Sequence, residues 1–231
     1  MNRYLSKHFK VTYSAVFNHL LDIMTISNEQ LTGLILAGGM GSRMGYAEKP
    51  LLKLGNKTIL QWIFSKSENQ VGQFLISLNR NQDKYKSIGC PLIPDIDGYK
   101  SGPLIGIYSA LEFLSQSTEL KVPHYLLCLP GDVPFFPNDL ITQLSNEMAS
   151  SPCDVVMTKC DSQLQPLFSL WALSTKQKIK KALENGYYGP KQMLSKLDHK
   201  LLYVEAQSAL QFFNINTVKD MKIAQKLIND L

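Results

Sequence analysis

Leu31-Thr32-Gly33-Leu34-Ile35-Leu36-Ala37-Gly38-Gly39-Met40-Gly41-Ser42-Arg43-Met44-Gly45 decides the reading of this chain. Its first half is a short apolar run that ends on glycines, the pattern of a strand buried on both faces at the start of a parallel sheet. Its second half is a glycine-rich turn, where backbone N–H groups can crowd against phosphate oxygens with no Cβ in the way. Arg43, with Lys49 just beyond, adds the positive charge that neutralises a polyphosphate. Two common phosphate loops are excluded. A Walker A loop closes on Gly-Lys-Ser/Thr, which is absent, and the dinucleotide fingerprint requires Gly where Met44 stands. Without Arg43 and Lys49, an ordinary strand-to-helix turn would account for the glycines equally well.

Working outward, a helix is expected after the loop, with apolar residues at Ile59, Leu60, Ile63 and Phe64 and Thr58 as its N-cap. Phe74-Leu75-Ile76-Ser77-Leu78 reads as a second strand, residues 81–85 as a polar helical turn, and Leu92-Ile93 as a brief strand between prolines. Pro103 opens a helix of small and apolar residues, and His124 to Leu129 is another buried strand. Asn138 is the expected cap of a helix running to Ala149. Residues 154–158 and 167–171 read as strands that pair in a hairpin. Helices are expected over 175–184, 190–197 and 218–230, and a strand over 201–204. Alternating strands and helices predict an α/β fold: a three-layer α/β/α, doubly wound, mostly parallel sheet with a mixed edge.

The 231 residues suit one such domain, expected over 31–231. Residues 1–30 read as a leader, with Met24 as an alternative start. A composition of 45% hydrophobic and 19% charged residues is that of a folded globular chain. The net charge of +5 is scattered, without the basic stripe that nucleic-acid binding requires. No apolar stretch reaches the ~20 residues needed to span a bilayer. Four cysteines without a CxxC pair fit free thiols in the cytoplasm, and four widely separated histidines make no zinc motif.

In a parallel sheet the polar residues just beyond each strand meet the ligand. Asp132, in Leu129-Pro130-Gly131-Asp132-Val133-Pro134-Phe135, is the hard oxygen ligand that Mg²⁺ takes beside a nucleotide. The competing role, a cap for the following helix, falls more naturally to Asn138 or Asp139. Asp95 can accept hydrogen bonds from a base or ribose and Gly102 permits close approach of a ring, although both read equally well as turn residues. In Phe212-Phe213-Asn214-Ile215-Asn216-Thr217, a helix cap at Asn216 or Thr217 is the plainer reading.

The motif Leu36-Ala37-Gly38-Gly39-x-Gly41-x-Arg43-Met44-Gly45-x-x-x-Lys49-x-Leu51 resembles the signature of sugar-phosphate and cofactor nucleotidyltransferases with the glycosyltransferase-A-like fold. Pro130-x-Asp132-x-Pro134-Phe135 and Gly102-Pro103-Leu104-x-Gly106-Ile107 are similar to two further elements of that family. Gln165-Pro166-Leu167 and the Asn214-x-Asn216-Thr217 ending resemble its molybdenum cofactor guanylyltransferase branch. The resemblance extends over 31–231. It implies a nucleotide-diphospho-sugar-transferase-like fold and a nucleotide site made of Leu36, Ala37, Gly38, Gly39, Gly41, Lys49, Asp95, Gly102 and Asp132. It also implies catalytic roles for Arg43, Lys49 and Asp132, and Mg²⁺ on Asp132 with Asn216 in its shell.

The implied reaction joins GMP from GTP to the terminal phosphate of molybdopterin, with pyrophosphate leaving. Molybdoenzymes, their chaperones or other cofactor-biosynthesis proteins are the implied partners, and a monomer is expected. One departure stands out: Ser77 occupies the place where the family's guanine-contacting Asn usually stands, which leaves either Asn79 or the backbone groups around Leu36 to read the base. A CTP-dependent transferase acting on the same pterin, or a nucleotide-binding protein without catalysis, are the rival readings. Arg80 and Lys191 are candidates for meeting the acceptor phosphate and read equally as surface charges.

Overall fold

The computed structural model of the chain describes residues 25–38, 48–116 and 124–228. The expectations placed on residues 1–24 and on Gly39, Gly41 and Arg43 lie outside the described residues. In chain order the elements are β1 (Leu31–Leu36), β2 (Lys53–Leu54), β3 (Lys57–Thr58), α1 (Ile59–Ser67), β4 (Gln73–Ser77), β5 (Leu92–Ile93), α2 (Pro103–Ser115), β6 (Tyr125–Pro130), α3 (Leu140–Ser150), β7 (Val155–Cys160), β8 (Gln163–Ala172), α4 (Lys176–Glu184), β9 (His199–Val204) and α5 (Val218–Ile228). Short 3₁₀ turns link several of them, among them Lys49–Leu51, Gln82–Ile88 and Pro190–Met193.

Seven strands form one sheet in the order β5-β4-β1-β6-β8-β7-β9. Strands β5, β4, β1 and β6 are parallel neighbours, β7 pairs parallel with β9, and β8 is antiparallel to both β6 and β7. The sheet is therefore mostly parallel and mixed, as the sequence predicts. Its reversed strand lies in the interior and not at the expected edge, because the β7–β8 hairpin returns β8 to the side of β6. Apolar side chains alternate between two cores. Ile35, Ile76, Leu127 and Leu129 face one core with α1, α3 and α5; Leu34, Leu75, Leu126 and Cys128 face the other with α2 and α4. Each fully buried aliphatic side chain contributes about 1.5–3 kcal/mol, so both faces of the central strands hold the layers together.

Helix ends follow local chemistry. Thr58 caps α1, as expected, and the structure adds a capping box with Gln61. Asn138 does not cap α3, because its side-chain oxygen accepts from Lys66 Nζ at 2.6 Å; Asp139 takes the cap position without a side-chain bond. The helix predicted over 190–197 shrinks to a 3₁₀ turn at Pro190–Met193, where the Gln192 side chain accepts from the Tyr188 and Gly189 N–H groups. The β2–β3 hairpin, turning at Gly55 (φ 66°), has strands too short to show a period of two in sequence. The chain leaves β1 for β4 on one side and later reaches β6 on the other, so the crevice between β1 and β6 is a topological switch point.

Candidate functional site

Register aligns the strand ends that bound this crevice. Leu36 is opposite Ser77 on one side and Pro130 on the other, and Ser77 is opposite Ile93. The Gly131 N–H donates to the Leu36 carbonyl at 3.0 Å, and the Ala37 N–H to the Ser77 carbonyl at 2.9 Å, which fixes where the chain departs toward the glycine loop. Residues that follow the parallel strands therefore converge. They line a cavity of about 340 Å³ bounded by Leu36, Gly38, Ser77, Asn79, Asp95, Gly102, Gly106 and Asp132, with Leu167 arriving from β8. A volume of this size accommodates a small-molecule ligand.

At one end of the cavity stand Lys49, Asp132 and Asn216. The Lys49 ammonium donates to Asn216 Oδ1 at 2.6 Å and lies 3.6 Å from Asp132 Oδ2. Burial pushes the Asp132 carboxyl above the usual carboxylate range, against the opposing pull of the Lys49 charge and its hydrogen bonds. Asn216 reaches the site because the C-terminal segment is clipped beside Asp132. The Ile215 N–H donates to the Asp132 carbonyl at 2.9 Å, and the Phe212 N–H to the Phe135 carbonyl at 2.8 Å. Thr217, not Asn216, caps α5: the Asp220 N–H donates to Thr217 Oγ1, while Asp220 Oδ2 accepts from the Asn216 and Thr217 N–H groups. That frees the Asn216 side chain. Asp132 and Asn216 thus offer two hard oxygens to one cationic position.

At the other end, Asp95 follows β5. Asn79 Nδ2 donates to Asp95 Oδ2 at 2.7 Å, and the Asp95 N–H donates to Asn79 Oδ1 at 2.7 Å. Each polar atom of Asn79 makes one bond to Asp95, so Asn79 supports the carboxylate, and it lines the cavity together with Ser77. Burial raises the Asp95 pKa, and the bond from Asn79 opposes the shift. Ser77 itself is buried at the cavity wall, 2.6 Å from the point where a Cβ on Gly106 would stand. Gly102 has a second role besides the expected one. A Cβ there would meet the Tyr188 carbonyl oxygen at 2.6 Å, so its smallness admits the 187–189 loop as well as bordering the cavity.

Of the predicted residues, Leu36, Gly38, Asp95, Gly102 and Asp132 border the cavity, Ala37 lines a small separate recess beside Gly38, and Lys49 and Asn216 meet at Asp132. Arg80 lines a small recess with Glu48, whereas Lys191 is exposed and borders neither. Sequence reading missed Glu48 and the pairing of Asn79 with Asp95. The Thr217-x-x-Asp220 box was visible as a capping pattern.

A model of the MobA-like NTP transferase domain matches residues 33–201. The chain belongs to that family. Similar proteins include a molybdenum cofactor guanylyltransferase from Polynucleobacter asymbioticus, 33% identical over 205 residues that cover 87% of this chain and 98% of the relative. One of the same name from Yersinia pseudotuberculosis is 33% identical over 190 residues, covering 82% and 92% respectively. Among solved structures, molybdopterin-guanine dinucleotide biosynthesis protein A from Archaeoglobus fulgidus superposes with a TM-score of 0.68 at 23% identity, covering 87% of this chain and all 100% of that one. A CMP:2-keto-3-deoxy-manno-octonic acid synthetase, solved with CTP, gives a TM-score of 0.63 at 13% identity over 87% of this chain and 99% of that one. These likenesses establish the nucleotidyltransferase-type α/β fold for this MobA-like transferase domain.

Proposed function

We propose that the protein transfers GMP from GTP to the terminal phosphate of molybdopterin, forming the guanine dinucleotide cofactor and releasing pyrophosphate. The observation that carries the reading is the meeting of Lys49, Asp132 and Asn216 at the switch-point crevice, with Asp95 braced by Asn79 at the cavity's far end. The names borne by its relatives support the same substrates.

In this mechanism the acceptor phosphate oxygen attacks the α-phosphorus of GTP as the bond to the bridging oxygen of pyrophosphate breaks. Such transfer needs alignment and charge neutralisation and no protein nucleophile. The backbone of Leu36, Ala37, Gly38, Gly39 and Gly41 cradles the triphosphate, and Arg43 and Lys49 hold the departing pyrophosphate. The residues fit Mg²⁺: the Asp132 carboxylate and the Asn216 amide oxygen would hold it, and phosphate and water oxygens would complete its shell. When bound, Mg²⁺ supplies charge neutralisation across the triphosphate. At the base end, Asp95 Oδ1 accepts no hydrogen bond from the described residues, beyond the bond that Asn79 makes to Oδ2. An ionised carboxylate only accepts, which suits the N–H-rich Watson–Crick edge of guanine better than that of cytosine, where a ring nitrogen and a carbonyl also accept.

The test is a panel of nucleoside triphosphates with Mg²⁺ and molybdopterin, scored for pyrophosphate. Release with GTP and little with CTP is expected. Preference for CTP would reassign the base, and binding of GTP without release under any condition would remove the enzymatic reading.

A further inference from the structure

Residues 78–81, which follow β4, are held from two sides. Toward the base end, Asn79 makes its two bonds with Asp95. Toward the phosphate end, Glu48 accepts from the Asn81 side-chain amide through Oε1 and from the Tyr85 hydroxyl through Oε2, the latter at 3.2 Å. Glu48 immediately precedes Lys49.

One anchor is buried and the other exposed. Tyr85 is fully buried in the same core as Leu78 and Ile76. Burial first, and the Glu48 charge second, push its phenol well above the ordinary range, so it remains a hydrogen-bond donor. Asn81 has φ 54° and ψ 31°, a left-handed conformation that Asn tolerates, and it opens the 3₁₀ turn Gln82–Ile88. A carboxylate beside a triphosphate site opposes anion binding. Here both its oxygens are taken up by donors that lead away from the cavity, so the side chain acts as a brace.

We infer that Glu48 is a positioning residue for Lys49: its attachment to Asn81 and Tyr85 fixes where the chain returns from the glycine loop and ties the phosphate end of the site to the Asn79–Asp95 end. The inference rests on the nucleotidyl-transfer reading and adds to it a residue that touches neither substrate. Lys49 acts on the phosphates, so its misplacement weakens the reaction step and leaves recognition of the base intact.

The test uses the full chain with Glu48→Ala, Glu48→Gln and Glu48→Asp, measuring kcat and KM for GTP, the affinities for GTP and GMP, and the melting temperature. Glu48→Ala is expected to lower kcat by about ten- to a hundredfold, the cost of a displaced reacting group. It is also expected to lower the ratio of GTP to GMP affinity while sparing GMP binding. Glu48→Gln should restore most of the loss, because its amide can accept from Tyr85 and donate to a turned Asn81 amide. Glu48→Asp keeps the charge, falls one methylene short, and should behave like Ala. Wild-type kcat in Glu48→Ala, or equal losses in the Ala and Gln variants, would overturn the inference. So would a fall in kcat that merely follows the melting temperature. If the wild type releases no pyrophosphate, the functional reading fails, and the ratio of GTP to GMP affinity across the same variants still decides the role of Glu48.

Discussion

Lys49 Nζ lies 2.6 Å from Oδ1 of Asn216, a residue 167 positions further along the chain. The bond joins the return of the glycine loop to the lead-in of the last helix, and Asp132 stands within reach of the same ammonium. Removing the amide leaves Lys49 with a weaker hold. Asn216→Ala should lower kcat/KM for GTP by about ten- to a hundredfold, the range of one hydrogen bond to a charged group. The Thr217–Asp220 cap is untouched, so the melting temperature should barely move. Steady-state pyrophosphate release and a thermal melt together check this.

Asp132→Asn keeps shape and removes charge. Turnover should fall by roughly 10³-fold or more, the scale seen when a preorganised electrostatic contact is lost at the reacting phosphates. The protein should melt at or above the wild-type temperature, because a neutral isostere replaces a carboxylate that burial disfavours. Near-normal activity over a Mg²⁺ titration would remove the metal assignment.

Asp95 provides a pH signature. Burial raises its pKa in the folded chain, with the Asn79 bond opposing. Base recognition that needs the ionised form is complete at neutral pH and is lost as pH falls through the raised value, earlier than for an ordinary aspartate. Binding of guanosine, which has no phosphate to titrate, should weaken as pH falls from neutral, at a higher pH than an ordinary aspartate would cause. In Asp95→Asn that dependence should disappear. The sign for stability is the reverse: a raised pKa means that the ionised form costs stability at neutral pH, so Asp95→Asn should melt slightly higher there. A guanosine affinity indifferent to pH in the wild type would show that Asp95 does not meet the base.

Gly106→Ala sets helix propensity against space. An exposed helical glycine gains about 1 kcal/mol on becoming alanine. Here the new methyl would stand 2.6 Å from Ser77 Oγ and 2.9 Å from Leu36 Cδ2, so both must yield toward the cavity. KM for GTP should rise, and Gly106→Ala combined with Ser77→Ala should recover part of the loss. Equal KM values for wild type and the single variant would argue that the cavity wall at Ser77 is not part of the nucleotide site.

Sequence made the local parts of this picture legible. The apolar run from Leu31, the glycines after it and Asp132 at the end of a buried strand each carry their meaning within a few residues, and the strand Leu31–Leu36, Gly38 and Asp132 lie where expected. Thr58 and its Gln61 partner were readable for the same reason. Contacts between distant segments were not. Asn138 is a good cap by composition, yet Lys66, from the neighbouring helix α1, takes its side chain. Asn79 was legible as a candidate for the base, but its two bonds to Asp95, brought beside it by β4–β5 pairing, were not. The reversed direction of β8 was equally hidden, because a hairpin between two strands does not say which of them joins the rest of the sheet.

That reversed strand has a consequence for how such a protein can change over time. β8 is a seam: the glycine loop, Lys49, Asp95 and Asp132 precede it in the chain, Leu167 on the seam itself lines the cavity, and Asn216 from beyond it returns to Lys49 at the cavity's end. Changes on and beyond the seam can therefore reshape what the far wall of the crevice accepts without touching the pairing of β5, β4, β1 and β6, provided that Asn216 and the segment clipped beside Asp132 are kept.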